Sequence, residues 1–240
     1  VQKRDTGSAV TLLYGAPLEL QLPFRFFGAL LVGSALLPMA QTRKELALLG
    51  GTFLFGLSAL EKLVESNIPD KGLGRFIFEY PDRFPSSDEC LAAEHSIEIL
   101  KNWLKQCFEI QMPIIPDKKA IASLIGLGPG LTPSGDDFLG GMLIALHICG
   151  EKTVKKNLFI QVDSLIDRTG PVSSTHLKAA ALGEGSQSLH QLLNMLLEGN
   201  ETHLEAGIDL INQIGHTSGW DALAGVALVL RQLVSTSQSA

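Results

Sequence analysis

Residues 126–141 read GLGPGLTPSGDDFLGG, a glycine and proline loop that runs into two adjacent carboxylates and then an apolar stretch. Gly126, Gly128, Gly130 and Gly135 let the backbone approach a ligand closely or take positive φ, while Pro129 and Pro133 restrict the loop's alternatives. Ser134 stands three residues before Asp137, the spacing of a serine cap whose acidic partner reaches back to the cap's own N–H. Phe138, Leu139, Met142, Leu143 and Leu146 follow at helical spacing, so the loop is expected to feed a buried helix.

The pattern returns near the other end of the chain. Laid over Ser218–Leu230 (SGWDALAGVALVL), Ser134–Leu146 (SGDDFLGGMLIAL) keeps Ser, Gly, Asp, Leu, Gly and Leu, six of thirteen positions without a gap. Thr132 and Thr217 also precede the two motifs. Two similar helix N-termini are therefore expected, and if they converge they bring two dipole-positive ends to one place, which suits an anion.

The 240 residues, 45% of them hydrophobic, suffice for a sizeable core. A net charge of -6 and a pI near 5.5 give no footprint for nucleic acid, and no basic run appears. Cys90, Cys107 and Cys149 are odd in number and widely spaced, which offers neither a zinc pattern nor a disulfide framework and fits a reducing cytoplasm. Two apolar stretches, 26–40 and 46–60, run about fifteen residues each, short of the roughly 18 to 20 that cross a bilayer, so no membrane partner is expected.

Segments AVTLLY and LELQL either side of Gly15-Ala16-Pro17 read as a hairpin, and Gly74–Tyr80 (GRFIFEY) as a further strand. The expected fold is therefore α+β: a β-rich N-terminal domain over 1–84, then a mainly helical domain over 85–240. Pro81, Pro85 and Ser86-Ser87-Asp88 mark the boundary. Helices are expected over 88–109, 117–127, 136–149, 152–168, 173–182, 186–197, 201–214 and 219–234.

Asp136 and Asp137 are candidate catalytic or metal-binding residues, since Mg²⁺ takes carboxylate oxygens; acidic side chains in a first turn also simply complement the helix dipole. For Asp137 both roles stay open, while Asp136 has no duty in the cap and is read towards ligand or metal contact. Gly128, Gly130, Thr132, Ser134, Gly135, Thr217, Ser218, Gly219 and Asp221 are the candidate binding residues of the two turns. His216 is placed to donate to an oxyanion, and Arg168 to hold a carboxylate or phosphate, unless it only complements a helix C-terminus. Two carboxylates would repel the anion that the N–H groups attract, so a metal or basic residue must neutralise them, or they accept hydrogen bonds from an amide or amine of the substrate.

The run GLGPGLTPSGDDFLGG, followed by SSTHLKAAALGEG at 173–185 and GHTSGWDALAG at 215–225, resembles the AllH-like subunit family of oxamate carbamoyltransferase. The resemblance covers roughly residue 126 to the C-terminus. It implies a subunit working in the cytoplasm with other subunits of one enzyme, in anaerobic allantoin and purine breakdown, on a small anionic substrate such as carbamoyl phosphate or oxamate. A non-catalytic interaction subunit and a stand-alone Mg²⁺-dependent phosphotransferase or hydrolase are the alternatives. The Ser-Thr-Arg-Thr phosphate loop of the aspartate and ornithine carbamoyltransferases is absent from the chain.

Overall fold

Two helices with almost no polar face form the centre of the molecule. In the computed structural model, which describes residues 56–110, 112, 114–198 and 201–237, they are α4 (Ser134–Ile148) and α9 (Ser218–Ser237). Every residue of α4 from Ser134 to Leu146 is buried, as is α9 from Gly219 to Leu230. A helix apolar all round has to be surrounded, and these two are. Around them lie α2 (Asp88–Ile110), α3 (Lys118–Leu124), α5 (Lys152–Asp163) and α6 (Pro171–Ala181), while α7 (Gln187–Glu198) and α8 (Glu201–Ile211) pack chiefly on each other. Residues 56–64 form α1. All described residues fall within one compact unit.

The helix boundaries follow local chemistry. Asp117 caps α3 by accepting from the N–H groups of Lys119 and Ala120, and the Ser87 hydroxyl accepts from Cys90 N–H at the start of α2. Pro171 opens α6 at a position where a missing N–H costs nothing. Arg231 of α9 donates to Glu61 Oε1 at 2.5 Å and to the Ile77 carbonyl, fastening α1 and the neighbouring turn to the central helix.

The expected β-rich unit is not found: no strand or sheet occurs among the described residues, which are mainly helical. Gly74–Ile77, expected within a strand, is a 3-10 turn. Its four residues are all buried, and it packs along α9 with Gly74 against Trp220. A strand needs a neighbour for its backbone groups, and none lies beside this segment among the described residues; packing on α9 overrides the β preference of Phe76, Ile77 and Phe78. The hairpin expected at 9–22 and the apolar stretch 26–40 lie outside the described residues, as does 46–55 of the second apolar stretch. No helix among the described residues is long and apolar enough to cross a membrane.

Candidate functional site

The two Ser-Gly-x-Asp turns meet. Asp137 and Asp221 are close enough for the charge of one to disfavour ionisation of the other, and both side chains are buried, at 1% and 0% exposure. Helices α4 and α9 cross at the glycines the motifs share. A Cβ on Gly141 would lie 1.9 Å from the Ala222 carbonyl oxygen, and one on Gly225 would lie 2.0 Å from that of Phe138. Gly141 and Gly225 are equivalent in the repeat, as are Phe138 and Ala222, so the crossing has a local pseudo-twofold axis.

The symmetry extends further than the matching letters. The N–H of Leu127 bonds the Leu124 carbonyl at 2.9 Å, and that of Ile214 bonds Ile211 at 3.0 Å; Gly135 N–H then bonds Leu127 at 3.0 Å, and Gly219 bonds Ile214 at 3.1 Å. Each second-position glycine rests on the last carbonyl of the preceding helix: a Cβ on Gly135 would be 2.0 Å from Leu124 O, one on Gly219 2.5 Å from Ile211 O. The duplicated unit is thus a helix, a loop and a buried helix, α3–α4 in one copy and α8–α9 in the other.

This arrangement departs from the expected capping. The N-cap of α4 is Pro133, with no side-chain cap bond, so Ser134 is the first helical residue and Asp137 lies a full turn in. The N–H groups of Asp136 and Asp137 go to the Pro133 carbonyl and that of Asp221 to Thr217. With Gly135 and Gly219 also bonded, the helix ends supply mainly dipole rather than open donors. The serine hydroxyls act across the axis: Ser134 favours the ionised form of Asp221, and Ser218 that of Asp137. Thr132 and Ser218 share a hydrogen bond of 3.0 Å that ties the first loop to the second helix. None of these hydroxyls satisfies Asp137 Oδ2 or Asp221 Oδ2, which stay buried without a hydrogen-bond partner.

Where the copies differ, they differ in what they hold. Asp136 is fully buried, accepting from Gly126 N–H at 2.9 Å on Oδ1 and from the hydroxyls of Thr169 and Ser173 on Oδ2, the latter at 2.7 Å. Its counterpart Trp220 packs on Gly74 and donates its indole N–H to Asn212 Oδ1 at 3.1 Å. Asp137 Oδ1 lies 3.5 Å from His176 Nδ1 on α6, whereas Asp221 Oδ1 accepts from Leu73 N–H at 2.5 Å. Gly72, at φ +78°, makes that last approach possible, since its Cβ would fall 2.5 Å from Asp221 Oδ1. Burial pushes the carboxyl of Asp137 up against the opposing pull of His176, Ser218 and Thr132, and pushes Asp221 up to about 7.

Of the residues singled out from the sequence, Thr132, Ser134, Gly135, Asp136, Asp137, Thr217, Ser218, Gly219 and Asp221 are brought together. Gly128 sits over the start of α4, where a Cβ would be 3.1 Å from Ser134 N; Gly130, at φ +105°, faces open space beside the exposed Leu131. Arg168 and His216 are exposed. Among the described residues no group of three or more His, Cys, Asp or Glu side chains is arranged to hold a metal ion. Both oxygens of Asp136, half of the expected Mg²⁺ pair, are engaged as described. His176 is the residue the sequence reading missed: it lies one helical turn after Ser173, so adjacent aspartates of α4 meet successive turns of α6.

The described residues form a helical fold with an internally duplicated turn, whose polar centre is built from carboxylates, hydroxyls and the His176 ring. Residues 124–230 match the family model described as oxamate carbamoyltransferase subunit AllH, and the chain is AllH-like over this segment. The match begins at the last residue of α3 and ends within α9, so it contains the helix starts of both copies. No solved structure matches the chain.

Proposed function

We propose that the chain is a substrate-binding subunit of a carbamoyltransferase-type enzyme of the cytoplasm, acting with other subunits on oxamate or oxalurate and carbamoyl phosphate in allantoin breakdown. The observation that carries this is the meeting of the two Ser-Gly-x-Asp turns around buried, unpaired carboxylate oxygens. An orphaned buried acceptor is costly unless a ligand's N–H completes it. Asp137 Oδ2 accepts the amide N–H of the substrate, His176 faces it from the rim, and the positive ends of α4 and α9 favour its anionic end. The exposed loop at 128–131 is the way in, because the aspartates below it are closed off.

Catalysis here is positioning plus electrostatic stabilisation of charge developing on the transferred group's oxygens. Asp137→Asn is expected to lower turnover of the assembled enzyme by at least ~10²-fold while the far-UV circular dichroism stays that of the wild type. Unchanged turnover would remove Asp137 from the site. Calorimetric titration with oxamate and carbamoyl phosphate, each with and without Mg²⁺, tests the ligand and the metal directly.

A second reading, a non-catalytic interaction subunit, draws on the exposed apolar side chains of Ile110, Met112 and Ile115 at the α2–α3 connection. It predicts that Ile115→Asp abolishes co-purification with the partner subunits, while Asp137→Asn leaves assembly and turnover of the complex unchanged.

A further inference from the structure

We propose that the two duplicated aspartates play different parts, Asp221 standing in the site as a carboxylic acid and Asp137 as its carboxylate neighbour, so that the pair holds one proton. For its purpose this rests on the reading above, in which the pair faces substrate; as a statement about protonation it stands on the geometry alone.

The two copies give their aspartates unlike surroundings. Asp137 has an imidazole at 3.5 Å, a partner that can carry positive charge. Asp221 has only neutral partners, the Leu73 N–H on Oδ1 and the hydroxyls of Ser134 and Thr217, and its Oδ2 is buried without a hydrogen-bond partner. Asp221 is fully buried, and no cation among the described residues lies within ion-pair distance of it. The titratable groups that face it are Asp137 from α4 and, more weakly, the Cys90 thiol from α2. Lys71, on the same segment as Leu73, is exposed, and Arg75, 6% exposed, turns to Glu94 at 3.4 Å.

A buried carboxylate beside another carboxylate, with no cation and one oxygen unsatisfied, is the arrangement in which keeping the proton costs least. A proton on Oδ2 turns an orphaned acceptor into a donor. The pair then presents one donor and one acceptor where two symmetric carboxylates would present acceptors only. Desolvation raises both carboxyls, Asp221 to about 7, and only at Asp137 does an imidazole pull back against it.

The sign follows from linkage. With its folded-state pKa raised from 3.8 to about 7, Asp221 binds a proton more tightly folded than unfolded, so its share of stability is full at low pH and is lost as pH rises to about 7. The test is thermal unfolding of the full chain from pH 5 to pH 8.5 as wild type and Asp221→Asn, the neutral near-isostere. The variant is expected to gain on the wild type steadily from pH 5 to pH 7 and to keep a constant lead above that, melting above the wild type at pH 8. A variant that melts lower by the same amount at every pH would overturn the proposal. Should Asp221→Asn not fold, the infrared carbonyl band of a protonated carboxyl in the wild type at pH 6, fading through pH 8, serves instead; its absence at pH 6 would equally overturn it. Neither measurement involves substrate, so failure of the oxamate titration leaves this result readable, and the reverse.

Discussion

Gly141→Ala is expected to destabilise the protein by about 3 kcal/mol or more, a cost at the upper end of that for overpacking a filled core. The added Cβ would lie 1.9 Å from the carbonyl oxygen of Ala222, which belongs to the backbone of α9 and cannot swing aside as a side chain would. Relief requires the two central helices to move apart. That opens the contact on which Phe138, Met142, Leu223 and Val226, all fully buried, depend. Gly225→Ala makes the mirror-image clash with Phe138 O at 2.0 Å and should cost about as much. Because the first substitution already separates the helices, the double variant should cost clearly less than the sum. Gly140→Ala is the control: its Cβ would sit 3.8 Å from the Ala180 Cβ, ordinary contact, and the exchange gains up to ~1 kcal/mol of helix propensity. Urea unfolding midpoints measure all four. Equal effects at 140 and 141 would show that the crossing is not where the glycines put it.

How much of this could be read from the letters is clearest at the duplication. Ser, Gly, Asp and Gly recur at matching places because each has a job that backbone geometry imposes, and those jobs leave a sequence trace. The preceding helices do the same job in both copies with Leu124 and Ile211, residues that any helix end carries, so α3 and α8 gave no sign of being copies. The intervening loops also differ in length: Leu127 and Ile214 correspond at a spacing of 87 residues and Ser134 and Ser218 at 84, which breaks a gapless comparison. The helix spans were legible from apolar periodicity with glycine and proline at the ends. Gly74–Ile77 was not, since aromatic and β-branched residues suit any buried surface, and only the neighbour decides between a strand and a turn. At the site, the sequence could place Asp136 beside Asp137 but not say that residues adjacent on a helix point about 100° apart and take different partners. His176 escaped for a related reason: its role comes from α6 crossing α4, and a lone histidine within a helix carries no pattern of its own.

That divergence makes Asp136 the second large effect. Asp136→Ala is expected to cost about 3 kcal/mol or more, at ~1–3 kcal/mol for each buried group left without its partner. The hydroxyls of Thr169 and Ser173 can turn to other acceptors, but the Gly126 N–H is fixed by the loop and loses its only bond given by the structure. Asp136→Asn keeps an oxygen for Gly126 and offers its amide to the two hydroxyls, so it should cost only about 1 kcal/mol, the net worth of one hydrogen bond. A metal or substrate ligand would rank the two variants differently. Asn would then fold as the wild type does and lose turnover, since an amide replaces a charged oxygen donor poorly in a hard-cation site. Denaturant midpoints beside turnover per folded molecule separate the two cases. If the Ala variant unfolds early and the Asn variant keeps its turnover, Asp136 is the clasp that seats α6 on α4. In that event Asp136→Ala should also disturb Asp137 indirectly, because Ser173 and His176 stand one turn apart on α6, and losing the first contact leaves the His176 ring no longer held at Asp137.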